Sequence, residues 1–396
     1  MRKKLVSFVA AAALLGSVSL ATAGTITTSG DTNIQIGGFV NQMFIWSNNQ
    51  AGLSLAPNAP ASGKSPNTSF SSTANWTRLD LTLSNPTEGI TGEISGDFFG
   101  SNQQNPYGGN FRLREAWVKK DFCQAGCNYT PWLLFGQTWA IGDMPQMNNF
   151  SLNAITGIAG DNGNQAITRV PMIAFGVKYD LGFAKINPQI AFEDVQGNIN
   201  VATNESLRSR FPGVGINIPV TFNTGLGTPA TFQISGEWQQ LKTNYDNNLN
   251  GYDFGSSILL PVRFVNLLGE FHYESGLNYM DNTGFGPAIP YGFGSNGQAT
   301  KSLSWSVQAQ LDGQKLANVP VTVAFGYGQT KFSNYVVADY SNPTLDKYST
   351  IFVNVNYNLT KSLSLGVEYD RNNGYFIGNS TEQHSDQVLL VGQYNF

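Results

Sequence analysis

The chain has 396 residues and a formal net charge of −4 at pH 7, and only 12% of its residues are charged. That charged fraction is about half the value of ordinary soluble domains, so a pair of soluble domains of this combined length is not expected. The sequence has no excess of basic residues, which argues against nucleic acid as a partner.

The N-terminus predicts a secretory signal peptide over residues 1–23. It has a basic start at 2–4, an apolar stretch over 5–20 and the small residues Ala21-Thr22-Ala23. This is the order of regions in a signal peptide and its cleavage site. We expect residues 24–396 to form one domain, and no later apolar run is long enough to predict a membrane-spanning helix.

The rest of the chain is dominated by a period-two alternation of apolar and polar residues, which predicts β-strands. In STIFVNVNYNL at 349–359, for example, three asparagines alternate with isoleucine, valines and tyrosine. The pattern predicts about sixteen strands of the length that a tilted strand needs to cross a bilayer. They are 33–46, 74–84, 90–98, 110–120, 131–139, 170–179, 184–193, 213–223, 229–240, 252–260, 265–274, 302–311, 319–330, 348–359, 362–371 and 386–396.

The connections between these strands are alternately long and short. Long ones include 47–73, 140–169 and 275–301, whereas 180–183 and 360–361 are short. A meander with one long-loop end and one short-turn end is typical of outer-membrane barrels. The sequence therefore predicts an all-β, transmembrane, antiparallel up-and-down β-barrel of about sixteen strands, with long external loops and short periplasmic turns.

A secreted soluble propeller or sandwich would also alternate, and it is the alternative fold. No repeat of blade length is evident, which argues against a propeller. A barrel of sixteen strands has a lumen too wide for side chains to fill, so a polar inner face in contact with water and an apolar outer face in contact with lipid are consistent with each other.

Charged residues predicted to face the lumen concentrate on the second to fourth strands. In RLDLTL, alternation turns the leucines toward lipid and the charged residues toward the lumen. The same parity on the next two strands completes a wall of three arginines and three carboxylates. These residues are Arg78, Asp80, Glu93, Asp97, Arg112 and Arg114.

The longest connection, 140–169, follows the fifth predicted strand, and we hypothesise that it folds into the lumen and narrows it. Between 140 and 168 it contains Asp143 and Asp161 but no Lys or Arg. Facing the wall arginines, it would set up a transverse field that selects among ions. The alternative is an external loop, with the wall charges paired to one another.

Glu115 is predicted to face outward, because Leu113 and Trp117 on either side of it are apolar. A carboxylate facing lipid is costly, although less so near the interfaces. Burial against a neighbouring subunit would make it tolerable. We therefore predict an oligomer contact through the first five strands that includes Glu115.

Only two cysteines occur, Cys123 and Cys127. In an exported protein this spacing favours a small disulfide loop across a turn, with unpaired or redox-active thiols as the alternative. Zinc would need further Cys or His ligands nearby, and the neighbouring sequence has none, so no metal is expected.

The sequence does not favour an enzyme. Its two histidines are His384 and His272, and the latter lies close to Glu270 and Ser275. Hydrolysis would need a nucleophile or water-activating carboxylates held against a histidine, and proximity in sequence alone does not provide this geometry. We expect His272 to line the lumen and the protein to use no cofactor.

The stretch FRLREAWVKK, followed by WLLFGQTW and a long acidic connection, resembles the trimeric porins and most of all the DcaP-like porins. This resemblance implies a homotrimer, a constricting third external loop and passage of small hydrophilic solutes, with negatively charged and dicarboxylic ones preferred. It also marks Arg112 and Arg114 as constriction arginines. In contrast to that subfamily, the first predicted strand begins too close to Gly24 to leave room for an N-terminal coiled coil.

The expected function is therefore a passive diffusion channel in the outer membrane of a Gram-negative bacterium. The alternative is a non-conducting surface barrel that acts as an adhesin or a structural protein. Expected partners are outer-membrane lipid, lipopolysaccharide and the barrel assembly machinery. The last strand, ending at Phe396, resembles the C-terminal signal that this machinery reads.

Overall fold

The computed structural model describes thirteen stretches of the chain, and they form one antiparallel sheet that closes on itself. The described residues are 25–27, 31–48, 68–100, 109–123, 126–141, 169–194, 208–209, 211–225, 228–242, 248–276, 298–334, 345–377 and 382–396.

Twenty strand segments make up this sheet. They are β1 (Thr25–Thr27), β2 (Asn33–Asn48), β3 (Thr68–Thr73), β4 (Arg78–Asn85), β5 (Ile90–Gly100), β6 (Asn110–Asp121), β7 (Tyr129–Trp139), β8 (Arg169–Asp180), β9 (Ala184–Ile186), β10 (Gln189–Glu193), β11 (Arg208–Ser209), β12 (Gly213–Phe222), β13 (Ala230–Lys242), β14 (Asn248–Val262), β15 (Val265–Ser275), β16 (Lys301–Asp312), β17 (Val321–Ser333), β18 (Leu345–Asn358), β19 (Leu363–Phe376) and β20 (Gln383–Asn395).

These segments make a closed barrel of 16 strands, as the sequence predicted. The count falls from twenty to sixteen because β3 with β4, β9 with β10, and β11 with β12 are successive pieces of single barrel strands, and the three-residue β1 is not counted as a barrel strand. The short β1 pairs with the lower part of β2. The all-β up-and-down barrel is thus confirmed, with differences only at strand ends and interruptions.

One such interruption splits the predicted strand 74–84. The chain turns between β3 and β4, where the Thr77 amide donates to the Ala74 carbonyl at 2.9 Å. The Thr73 hydroxyl accepts from the Asn75 amide at 3.0 Å, a local bond that competes with the strand ladder. As a result the strand begins earlier than predicted, at Thr68 of β3, and resumes at Arg78.

The barrel closes where its first and last strands meet. β2 pairs with β20 from Phe39 opposite Asn395 to Ser47 opposite Gln387. The amide of Phe396 donates to the carbonyl of Gly38 at 3.2 Å, one step beyond this ladder. The alternating row at the end of the sequence therefore forms the strand that seals the sheet.

The two faces of the sheet differ as the alternation predicts. On β18, Val353 and Val355 are exposed on the outside, whereas Asn354 between them is buried on the inside. On β19, Val367 is exposed and Glu368 is buried. Because such a pattern recurs around the barrel, the outer face is apolar and the inner face is largely polar.

Some connections at the short-turn end are locally ordered. Between β16 and β17 a one-turn helix, α1 (Gly313–Ala317), is capped by Asp312, whose side chain accepts from the amides of Gln314 and Lys315. Among the described residues, no helix is long and apolar enough to span a bilayer.

In the turn after β6, Cys123 and Cys127 are joined by a disulfide.

Candidate functional site in the barrel lumen

Three neighbouring strands bring several of the predicted lumen charges together. The register places Asp97 of β5 opposite both Arg78 of β4 and Arg112 of β6. Asp97 is fully buried, and its carboxylate accepts from Arg112 Nε at 3.0 Å and from Arg112 Nη2 at 2.6 Å. Arg114 Nη1 donates to the same carboxylate at 2.6 Å. One carboxylate therefore holds two guanidinium groups, and this cluster keeps a net positive charge.

The two arginines of this cluster differ in accessibility. The Arg112 side chain is 31% exposed, whereas that of Arg114 is 6% exposed. Arg112 can therefore meet a solute in the lumen directly. Arg114 acts chiefly by fixing Asp97 and by adding positive charge behind it.

A β-bulge in β6 explains the position of Arg114. Opposite the consecutive residues Ser95 and Gly96 of β5 lie Glu115 and Leu113, so Arg114 is an extra residue in the ladder. An extra residue of this kind breaks the alternation of faces along a strand. After the bulge, β6 presents Glu115 to the same side as the buried Ser95.

The prediction that Glu115 faces outward is therefore wrong. Its carboxylate accepts from Thr138 Oγ1 at 2.7 Å and from Trp117 Nε1 at 3.3 Å, and its neighbours face the lumen. The parity argument failed because the apolar residues Leu113 and Trp117 lie on opposite sides of the bulge. Because Glu115 does not face outward, the reason for placing it in an oligomer contact no longer holds.

A fourth arginine, Arg169, joins this wall and was missed by the sequence analysis. Its guanidinium carbon lies 4.4 Å from the centre of the Trp139 ring, and that of Arg114 lies 5.9 Å from the same ring. Arg169 also interacts electrostatically with Arg78 and Arg112. The sequence signal that could have identified Arg169 is its position, because it is the first cation after the acidic connection and directly precedes a predicted strand.

Nearer the short-turn end, the same wall carries three carboxylates. Asp80 and Glu93 each interact electrostatically with Glu115, and Glu93 lies opposite Trp117 in the β5–β6 ladder. The wall is thus layered, with the arginine cluster nearer the long connections and the three carboxylates below it.

The opposite side of the barrel carries an acidic wall. Inward residues of β13, β14 and β15 are buried and include four carboxylates and one histidine: Glu237, Asp253, Glu270, His272 and Glu274. Within the described parts of β12–β19, alternation places every lysine and arginine on the outer face or in a turn. The sign of charge therefore changes across the lumen, from the arginine cluster to these carboxylates.

His272 lies within this acidic wall, inward as predicted. Its Nδ1 is 3.6 Å from Asp253 Oδ1, and its neighbours Glu270 and Glu274 accept hydrogen bonds from serine hydroxyls of β16. Across the described stretches, no group of three or more His, Cys, Asp or Glu side chains is arranged to hold a metal ion.

The long connection after β7 starts on the inner surface of the barrel. The amide of Ile141 donates to Glu193 Oε1 at 2.7 Å, and its carbonyl accepts from Asn217 Nδ2 at 2.7 Å. Ile141 also belongs to a buried apolar cluster on the inner wall, with Trp132, Ala140, Val170, Met172, Ala174, Ala191, Leu241 and Leu249. Asp143 and Asp161 lie outside the described residues, and an inward fold of the whole connection stays a prediction.

Gly215 leaves the space that Ile141 occupies. A Cβ added at Gly215 would lie 2.3 Å from Ile141 Cγ2, whereas one added at Gly236 would have no contact closer than 3.5 Å. We predict that Gly215→Ala displaces Ile141 and breaks its charge-assisted bond to Glu193, so that its amide exchanges with deuterium at least about tenfold faster. Hydrogen exchange of the folded variants measures this, with Gly236→Ala as the matched control. Equal protection of Ile141 in both variants would contradict the packing described here.

The comparisons with known proteins agree on the fold. No protein-family model and no curated protein matches this sequence. The outer membrane channel DcaP of Acinetobacter baumannii is similar in structure, with a TM-score of 0.73 at 18% identity over 94% of this chain and 100% of that one. The anion-selective porin from Comamonas acidovorans has a TM-score of 0.57 at 13% identity over 92% of this chain and 100% of that one.

A third structure, the trimer form of OmpT of Vibrio cholerae, has a TM-score of 0.56 at 9% identity over 92% of this chain and 99% of that one. All three comparisons extend over nearly the whole of both chains. The chain has the sixteen-stranded barrel fold of the outer-membrane porins.

Proposed function

We propose that this protein is a porin in the outer membrane of a Gram-negative bacterium, through which ions and small hydrophilic solutes diffuse passively. The observation that carries the proposal is the closed barrel with an apolar outer face and a polar, charged inner face. In a bilayer, closure removes the unpaired strand edges, and the apolar face meets lipid. The predicted signal peptide agrees with export.

Within this function we propose selection by a transverse electric field. The arginine cluster around Asp97 lies across the lumen from Glu237, Asp253 and Glu270. Charges at a narrow point act on a solute within a screening length of about 8 Å at physiological salt, so they outweigh more distant charges. Since Arg112 is the accessible member of the cluster, we propose a preference for anions and dicarboxylates.

Recordings across planar lipid bilayers test the channel itself. We expect the purified, refolded protein to insert and to give discrete, ohmic steps in potassium chloride. The matched control is the same detergent carried through refolding without protein. Insertion without any conductance step would reject the porin function.

Insertion without conductance would favour the non-conducting surface barrel. A specific observation supports this alternative, because Glu270, His272 and Glu274 of the inner face are almost inaccessible to solvent. A barrel of this kind would act through its external connections, as an adhesin or a structural protein of the outer membrane.

We further propose a homotrimer. The trimer form of the similar OmpT structure supports the trimeric state. We also propose that the barrel assembly machinery recognises the last strand, which ends at Phe396, when the barrel is inserted into the membrane. Chemical crosslinking of the refolded protein that yields only single chains would reject the trimer.

A further inference from the structure

Two lysines lie side by side on the inner face of the barrel, near its short-turn end. Lys119 is two residues before the end of β6, and Lys178 is two residues before the end of β8. After the bulge in β6, alternation places Lys119 on the same face as Glu115, which is turned toward the lumen. Lys178 donates to Asp121, which lies on that face of β6 too. Both ammonium groups therefore belong to the lumen wall.

A tryptophan ring holds the Lys119 side chain in place. Lys119 Nζ lies 4.4 Å from the centre of the Trp132 ring, where a cation is attracted to the aromatic face. The ring itself is buried, and its Nε1 donates to Asn187 Oδ1 at 2.9 Å. Gly176 leaves space for this ring, because a Cβ added there would lie 2.4 Å from it. The Lys119 ammonium is thus positioned by an aromatic ring and not by a carboxylate.

The charges around Lys119 are not balanced. Lys178 Nζ lies 3.1 Å from Asp121 Oδ1 and 2.9 Å from Asp121 Oδ2. At the rim, Lys185 lies 3.8 Å from Asp180. The charged groups that act on Lys119 are Lys178, which repels it, and Asp121. Two ammonium groups therefore share one carboxylate, and the group keeps one positive charge in excess.

Neighbouring carboxylates do not balance this charge. Glu93, the next carboxylate toward the middle of the barrel on this wall, interacts with charges that do not include Lys119. Glu88 lies in the turn before β5, where its carbonyl accepts from Lys120 on the outer face. The short-turn residues outside the described stretches, 124–125 and 226–227, have no charged side chains. An anion from solution can supply the missing negative charge.

This lysine pair is separate from the arginine cluster. Lys119 and Arg112 are seven residues apart on β6, and one of these residues is the extra residue of the bulge. Six steps of about 3.3 Å give a separation of roughly 20 Å along the strand. That is more than twice the screening length of about 8 Å at physiological salt. The layer of three carboxylates lies between the two groups, so a small anion cannot contact both at once.

We propose that Lys119 and Lys178 form a second anion-binding site of the lumen, which takes a doubly charged phosphate group. The Lys178 side chain is 39% exposed, so a solute can reach the pair. Lysine binds phosphate as a compact point charge with three donors, and two ammonium groups match the two charges of the anion. The inference rests on the proposed water-filled lumen, which gives access to the site, but not on conduction.

Fluorine NMR of the refolded protein, labelled with 5-fluorotryptophan and kept in detergent at low ionic strength, tests the site. The Trp132 signal is assigned by its loss in Trp132→Phe. Inorganic phosphate should shift this signal saturably, at a concentration at least about tenfold below that of chloride, because its charge is double. Glycerol phosphate offers the same group on a small solute. A shift with either probe supports the site and names its source, the free ion or a phosphorylated solute.

The variant Lys119→Gln should weaken phosphate binding at least about fivefold, since one unit charge in contact with an anion is worth about that much even in water. The matched control is Lys120→Gln, which removes the next lysine of β6 from the outer face. It should bind phosphate as the unaltered protein does. Lys178→Gln should also weaken binding, and it replaces Lys119→Gln if that variant does not fold. Migration in unheated gels checks the folding of each variant.

Equal binding by Lys119→Gln and Lys120→Gln would overturn the proposal, as would a Trp132 signal that neither phosphate probe shifts. The variant Arg112→Gln/Arg114→Gln should keep the Trp132 response. Loss of the response in that variant would place the anion at the arginine cluster instead. Because binding is measured at equilibrium without a current, a protein that binds phosphate here but does not conduct would contradict the porin function alone.

Discussion

Replacing Asp97 by asparagine should destabilise the barrel by about 3–5 kcal/mol, the cost of breaking a buried ion pair by removing one partner. Asp97 is fully buried and accepts three hydrogen bonds from Arg112 and Arg114. Without its charge, Arg114 stays buried beside other guanidinium groups. Reversible unfolding in urea from lipid vesicles, followed by tryptophan fluorescence, measures the change.

The matched control for this variant is Asp180→Asn. Asp180 is exposed and lies 3.8 Å from Lys185, an ion pair near the surface. Its loss should cost less than about 1 kcal/mol, because exposed pairs are screened by water. Equal stability of the Asp97 and Asp180 variants would show that Asp97 does not hold the arginine cluster together.

The second large effect concerns ion selectivity. The variant Arg112→Gln/Arg114→Gln removes two positive charges from the wall while keeping side chains that can donate hydrogen bonds to Asp97. One unit charge at about 4 Å in water is worth about 1 kcal/mol, so we expect the ratio of anion to cation permeability to fall at least about fivefold. Reversal potentials in a gradient of potassium chloride measure this ratio.

Charge removal on the outer face provides the control. The variant Lys331→Gln/Arg371→Gln also removes two cations, but both lie on the outside of the barrel by alternation. We expect its reversal potential to equal that of the unaltered protein. If both double variants shifted the potential equally, selectivity would come from total charge and not from the arginine cluster.

The strands and their faces could be predicted because each depends on local alternation. The row that ends at Phe396 and the asparagine row of β18 needed no knowledge of the rest of the chain. Alternation also predicts one side of the strands for Arg78, Asp97 and Arg112, and the register sets these three residues opposite one another.

Other parts of the site could not be predicted, since they depend on an irregularity or on closure. The bulge at Arg114 adds one residue without a sequence signal and reverses the side on which Glu115 lies. Arg169 reaches the cluster through Trp139, a contact between residues on either side of a long connection. The acidic wall of β13–β15 faces the arginines only because the sheet closes.

The beginning of the long connection shows a similar limit. Its length suggested that it folds inward, but the atoms that hold Ile141 belong to β10 and β12. Neither Glu193 nor Asn217 carried a signal for this contact. Gly215 could have suggested a close approach within a strand, although it gave no indication of the partner.

The central claim is tested most directly by two variants, Arg112→Cys and Leu113→Cys, which each place a cysteine at one of two adjacent positions. Each variant is treated with a negatively charged, water-soluble methanethiosulfonate. The claim is that the barrel has an apolar exterior and a conducting, water-filled lumen. Arg112 then lies on the inside, whereas Leu113, which is exposed on the other face, lies on the outside. Single-channel recording should show a stepwise fall in conductance for Arg112→Cys and no change for Leu113→Cys. A fall for Leu113→Cys, or none for Arg112→Cys, would contradict the account.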